Sequence, residues 1–173
     1  MNIIIVGAGE IGTHIAISLA DEKHAIVVIE ADEMVAGDLN NRIDARVMVA
    51  DGTSISVLID ASVSDCDLFL SLTSDNNINL VSASVAKSLG AKKTIARVHP
   101  GVQRDALFLD FGQHFGIDYL FSSERLAAVE LAKHVRNPKS SMVEEIARGY
   151  VEIQQVNISA DSKFCGAKLC EID

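Results

Sequence analysis

No stretch of the 173 residues approaches the roughly 20 consecutive apolar positions that cross a bilayer, so no membrane span is expected, although 49% of the chain is hydrophobic. Positive charge is scarce: 15 Lys and Arg stand against 24 Asp and Glu, for a formal net charge of −9. That balance argues against nonspecific binding to nucleic acid or to an anionic membrane surface, both of which need cationic patches. Cysteine is sparse as well. Cys66, Cys165 and Cys170 form no C-x-x-C pair and no cluster with histidine, so zinc is not expected and buried free thiols in a reducing cytosol are. His14, His24, His114 and His134 are scattered, and His99, ahead of Pro100, reads as a loop histidine. The N-terminus enters an apolar strand without a basic region before it, which predicts no secretory signal. There is no G-x-S-x-G, no P-loop and no metal signature. A short-chain dehydrogenase needs lysine four residues after its tyrosine; Ser123 follows Tyr119 at that spacing, and Gln154 follows Tyr150.

What is present begins at Asn2. Asn2 to Val6 is a short, almost wholly apolar run suited to a strand buried on both faces. Gly7-Ala8-Gly9-Glu10-Ile11-Gly12 follows at once and fits G-x-G-x-x-G. Ile11, Ile15 and Leu19 then recur at helical spacing, and Ala25 to Ile29 is a second buried strand closed by Glu30, 18 residues past Gly12. The pattern alone is weak, but strand, glycine loop, helix and acid occur here in the order that dinucleotide binding requires. Gly7 permits the turn, Gly9 lets a pyrophosphate approach the backbone, and Gly12 lets the helix pack on the strand. The helix offers free N–H groups and its positive end to phosphates. Glu30 is placed to accept hydrogen bonds from ribose hydroxyls and to repel a 2′-phosphate, which favours NAD(H) over NADP(H).

Further strands are expected at Ala45–Val49, Leu68–Leu72, Thr94–Val98 and Asp118–Phe121, with helices at Glu33–Asn41, Ser54–Ala61 and from the Thr73-Ser74-Asp75 cap to about Leu89. The helix after Asp75 presents Ile78, Val81, Val85 and Leu89 as its apolar face. Phe108, Phe111 and Phe115 share a helical face and are expected to cover the sheet. Ser122 or Ser123 caps a last helix ending near Val135. It carries two apolar stripes, one able to pack on the parent sheet and one needing a further partner, a neighbouring subunit. The β-α alternation predicts a doubly wound, parallel, six-stranded Rossmann sheet of order 3-2-1-4-5-6 over residues 1–136, with its crevice between strands 1 and 4. Residues 137–173 read differently. Pro138 to Ser141 is a linker, and strands follow between Glu144 and Ile158. Phe164, Leu169 and Ile172 seek a core that so short a segment cannot supply. This part is expected to be the start of an incomplete second domain.

Taken together, the glycine loop with Ile4 to Val6, then Val28-Ile29-Glu30, then Asp51-Gly52-Thr53, then Thr73 to Asn79 resemble the KTN or RCK nucleotide-binding regulatory domains of potassium transporters and channels. The likeness is nearest to the cytosolic subunits of Trk potassium uptake systems. Phe164 to Ile172 is similar to the start of the family's C-terminal ligand-binding domain. The resemblance implies a regulator, not an enzyme, that binds NAD(H) and often ATP or ADP. It also implies a homo-oligomer, a dimer assembling into a tetrameric or larger ring. That ring would sit in the cytoplasm, peripheral to the inner face of the membrane through a potassium-translocating subunit. Carried over by position, Gly7, Ala8, Gly9, Glu10, Ile11 and Gly12 meet phosphates and Glu30 the ribose. Asp51, Gly52 and Thr53 flank the adenine end, Thr73 and Ser74 lie near the phosphates or nicotinamide, and Arg97 reaches the crevice. Members of the family often have glutamine or a basic residue where this chain has Glu10, which weakens the case for ATP here. The rival readings are an NAD-dependent oxidoreductase, for which catalytic residues and a substrate domain are missing, and a regulator of another transporter, such as a glutathione-gated efflux system.

Overall fold

Asn2–Val6 forms β1, and its last four residues are buried, as befits an isoleucine and valine run without polar alternation. The computed structural model describes residues 1–105, 108–136, 140–146, 151–162, 164–166 and 168. After β1 come α1 (Glu10–Asp21), β2 (Ala25–Glu30), α2 (Glu33–Asn40), β3 (Arg46–Val49), α3 (Ile55–Asp60), β4 (Leu68–Ser71) and α4 (Asn76–Ser88). These are followed by β5 (Thr94–Arg97), α5 (Pro100–Asp105), α6 (Phe111–Phe115), β6 (Tyr119–Phe121) and α7 (Ser123–Arg136). The six strands pair in the order β3-β2-β1-β4-β5-β6, all parallel. This is the doubly wound Rossmann order expected from the sequence. It reverses direction between β1 and β4, and there a crevice opens beyond their carboxyl ends.

Alternate residues of β1 feed opposite layers. Ile3 and Ile5 join Val28, Leu70, Ala16 of α1 and Leu39 of α2 in one cluster. Ile4 and Val6 join Ile29, Phe69, Leu58 of α3 and Ala83 and Ala86 of α4 in the other.

Several expectations are corrected. On α4 the buried positions are Asn79, Leu80, Ser82, Ala83 and Ala86. Ile78 and Val81 are exposed, and Val85 and Leu89 only half-buried, so the expected apolar face is turned partly outward. Small side chains let the helix backbone seat on the sheet, and Asn79 finds hydrogen bonds there. Phe111 and Phe115 stack on each other and pack on the core, but Phe108 precedes α6 and is 92% exposed. Cys66 is buried as expected, with its thiol pKa raised chiefly by that burial, whereas Cys165 is exposed; Cys170 lies outside the described residues. Finally, Ser140 and Ser141, expected as linker, begin a strand.

The chain divides into two compact units, Met1–Arg125 and Leu126–Asp173. In the second, β7 (Ser140–Ile146) pairs antiparallel with β8 (Val151–Val156), Ser140 lying opposite Val156. That register ends β8 at Val156, so Asn157 and Ile158 fall outside the strand they were expected to form. Both stripes of α7 carry exposed residues: Leu126 and Val129 on one, Leu131 and Val135 on the other. Pro138, Lys139, Tyr150, Leu169 and Ile172 lie outside the described residues. Among those described, no helix is long and apolar enough to cross a membrane.

Candidate functional site

The crevice is built on the turn between β1 and α1. Gly7 has φ +96°, a conformation that side chains rarely adopt, and a Cβ there would lie 2.9 Å from both Cγ2 and N of Thr73. Its N–H donates to the Ile29 carbonyl at 2.9 Å. A Cβ on Gly12 would overlap the Gly7 carbonyl oxygen, so α1 can seat against the turn only with glycine there. At Gly9, by contrast, nothing lies within 4 Å of where a Cβ would stand.

Gly9 is also the N-cap of α1, and no side chain caps that helix. Asp32, Asp75 and Asp110 cap α2, α4 and α6 through their carboxylates. The first-turn N–H groups of α1 have no intrahelical carbonyl, and the helix adds its positive end. An open approach over Gly9 onto uncapped N–H groups is a cradle that fits a phosphate.

The other walls come from the ends of neighbouring strands. Glu30 closes β2, and its Oε2 accepts the Ala8 N–H while Oε1 accepts that of Asp32 at 3.0 Å. Each oxygen retains a second lone pair, so Glu30 braces the glycine loop and can still accept from a ligand hydroxyl. Gly52 packs under Val6, where a Cβ would collide. Asp51 Oδ1 accepts the Thr53 N–H and hydroxyl, each at 2.8 Å; the backbone bond first and the hydroxyl second lower the Asp51 pKa.

Beyond β4, buried Asn79 organises the loop. Its Oδ1 accepts from the Ser71 hydroxyl at 3.0 Å and from the Thr73 N–H and hydroxyl at 2.9 and 2.7 Å. Its Nδ2 donates to the carbonyls of Thr73 and Arg97, both at 2.9 Å. One amide thus ties β4, the start of α4 and the end of β5 together. The Arg97 guanidinium lies 3.1 Å from Glu124 Oε1, as does His99 Nδ1. The Ser122 and Ser123 hydroxyls donate to Glu124 Oε2 at 2.8 and 3.1 Å. The Glu124 pKa is lowered to about 2, first by its own backbone N–H and then by Ser122; burial opposes them, and Arg97 and Ser123 add smaller contributions.

A cavity of about 510 Å³ gathers Gly7, Gly9, Glu10, Ile11, Glu30, Asp51, Gly52, Thr73, Ser74 and Arg97 along one lining. Of the residues singled out in the sequence, Ala8, Gly12 and Thr53 are not on it. Ala8 is buried and spends its N–H on Glu30, Gly12 packs on Gly7, and Thr53 is bonded to Asp51. Sequence reasoning missed the apolar walls from Val35 and Ile78, since it assigned Ile78 to the packing face of its helix and gave Val35 no role. It also missed Asn79 as the loop's anchor and Glu124 as the partner of Arg97. Asparagine among helical apolar residues carries no hydropathy signal. The Ser122-Ser123 cap marked a helix start but not the neighbour of Arg97.

The TrkA-N domain family matches residues 3–122. A Trk system potassium uptake protein TrkA homolog of Methanothermobacter thermautotrophicus is 30% identical over 172 residues, covering 99% of this chain and 77% of that protein. The Trk system potassium uptake protein TrkA of Halomonas elongata is 30% identical over 175 residues, covering 99% of this chain but 37% of that protein. The chain therefore spans most of one relative and little more than a third of the other. Among solved structures, the GsuK channel bound to NAD superposes with a TM-score of 0.62 at 17% identity, over 84% of this chain and 25% of that one. The same channel bound to ADP gives 0.65 at 19% identity, over 80% of this chain and 35% of that one. At those identities the likeness is one of fold.

Proposed function

The chain belongs to the TrkA-N domain family, and from that premise we propose that it is a nucleotide-binding regulatory domain acting on a potassium-translocating membrane protein of the Trk type. One observation carries the ligand side of this reading: α1 follows its N-cap Gly9 uncapped by any side chain, inside the crevice where the sheet order reverses. Phosphates take the N–H groups of that first turn, and the free lone pairs of Glu30 take the ribose hydroxyls. NAD(H) is the preferred ligand, because Glu10, Glu30 and Asp51 make the lining acidic and penalise the more highly charged ATP. ADP is the next candidate. GsuK structures with NAD and with ADP, which share this fold, support both.

The crevice works by occupancy rather than turnover. A bound nucleotide is the signal, and the readout is the membrane partner's potassium flux. The domain acts as a homo-oligomer, a dimer within a larger ring on the cytoplasmic face, with the exposed stripes of α7 as the dimer surface. The test pairs two measurements. Calorimetry of the purified chain should show NADH bound, and a panel of carbonyl compounds should leave that NADH unoxidised. Failure to bind NADH, ADP and ATP alike would overturn the nucleotide reading; robust turnover would overturn the regulatory one. Reconstitution with a Trk-type membrane subunit should then show potassium flux that changes with NADH.

A further inference from the structure

The charged residues described along the crevice are Glu10, Glu30, Asp51 and Arg97. The single cation among them is already engaged, since Glu124 holds its guanidinium at 3.1 Å and leaves the side chain only 20% exposed. The backbone of Arg97 is anchored separately through its carbonyl to Asn79 Nδ2, so the guanidinium can change partner while β5 stays in place. Glu124 is not stranded by such an exchange. It keeps the hydroxyls of Ser122 and Ser123 and its contact with His99, and it is 42% exposed to water.

We infer that Glu124 sets the crevice's selectivity among adenine nucleotides by competing with ligand phosphate for Arg97. This deepens the nucleotide-binding reading and rests on it. The two phosphates of NAD are diesters with one negative charge each. A nucleoside diphosphate ends in an ionised phosphate whose free oxygens match the guanidinium fork. While Glu124 holds Arg97, that fork is occupied and a carboxylate stands beside it, so the terminal phosphate gains least. Removing the carboxylate frees the cation and helps the diphosphate more than the dinucleotide.

The experiment is a titration of the full chain with ADP and with NADH, both free of magnesium, in wild type, Glu124→Gln, Arg97→Gln and the double variant. Glu124→Gln should raise the ratio of ADP to NADH affinity by about threefold, the scale of an exposed ion pair. Glu124→Ala, run alongside, should move the ratio the same way. In the Arg97→Gln background, Glu124→Gln should leave the ratio unchanged. Both nucleotides bound with an unchanged ratio in the Glu124 variants would overturn the inference, as would an equal rise with Arg97 absent. If neither nucleotide binds any of the five proteins, the functional reading falls and takes this inference with it.

Discussion

At Gly12 one hydrogen atom decides whether α1 can reach the sheet. The Cβ of alanine would overlap the Gly7 carbonyl oxygen, and backbone atoms there cannot give way as a flexible side chain could. Gly12→Ala should lower unfolding free energy by about 1–3 kcal/mol, the usual cost of overpacking; an unchanged urea midpoint would refute the steric account. The proposed role of Glu30 is toward the ligand instead. NAD(H) should bind about tenfold tighter than NADP(H), equivalent to about 1.4 kcal/mol, because a 2′-phosphate would face its carboxylate. Equal affinities by calorimetry would remove Glu30 from that role. Glu124 has an acid-range signature. Its folded pKa of about 2 lies below the ordinary 4.5, so its contribution to stability is complete above 4.5 and is lost as pH falls toward 2. The stability gap between wild type and Glu124→Gln should therefore be wider at pH 5 than at pH 2.5. A gap that stays constant across that interval would contradict the assignment.

Among the elements, α4 shows packing overruling pattern. Two of its large apolar residues, Ile78 and Val81, are exposed, while Asn79 and Ser82 are buried and bonded to each other's neighbourhood through Ser71. The Asn79 amide holds the β4–α4 loop over the crevice and the end of β5 beneath it. Asn79→Ala would leave the Thr73 N–H and the Thr73 and Arg97 carbonyls short of a partner. Buried unmet groups cost about 1–3 kcal/mol each, so a loss of about 3 kcal/mol in chemical denaturation is expected. Nucleotide affinity should weaken with it as the Thr73 loop loosens. A variant of wild-type stability would mean that water replaces the amide at no cost.

For the whole molecule, the strand order sets where a ligand can enter. The glycine loop after β1 and the Thr73 loop after β4 are adjacent because the sheet reverses between those strands, and a single chain reversal makes the site. The proposed assembly would use α7, whose Leu126, Val129, Leu131 and Val135 are exposed. Apolar residues in such a row invite a partner. Light scattering at micromolar concentration should give a dimer, and Leu131→Glu should shift it to monomer. A monomeric wild type would overturn the proposed assembly.

By itself the sequence determined the six parallel strands, the Rossmann topology and the glycine loop with Glu30, because these follow from local causes. Buried parallel strands must be apolar throughout, a turn with positive φ needs Gly7, and a helix that touches the turn needs Gly12. The tertiary structure alone decided which face of α4 is buried, that Phe108 stays exposed, and that Glu124 pairs with Arg97 across 27 residues of sequence. Hydrophobic periodicity reports what each side chain gains from burial, but not which face the sheet will accept once small residues and a hydrogen-bonding amide compete for it. An ion pair between β5 and the start of α7 exists only because β6 lies alongside β5 and delivers Glu124 there, and no local pattern encodes that adjacency.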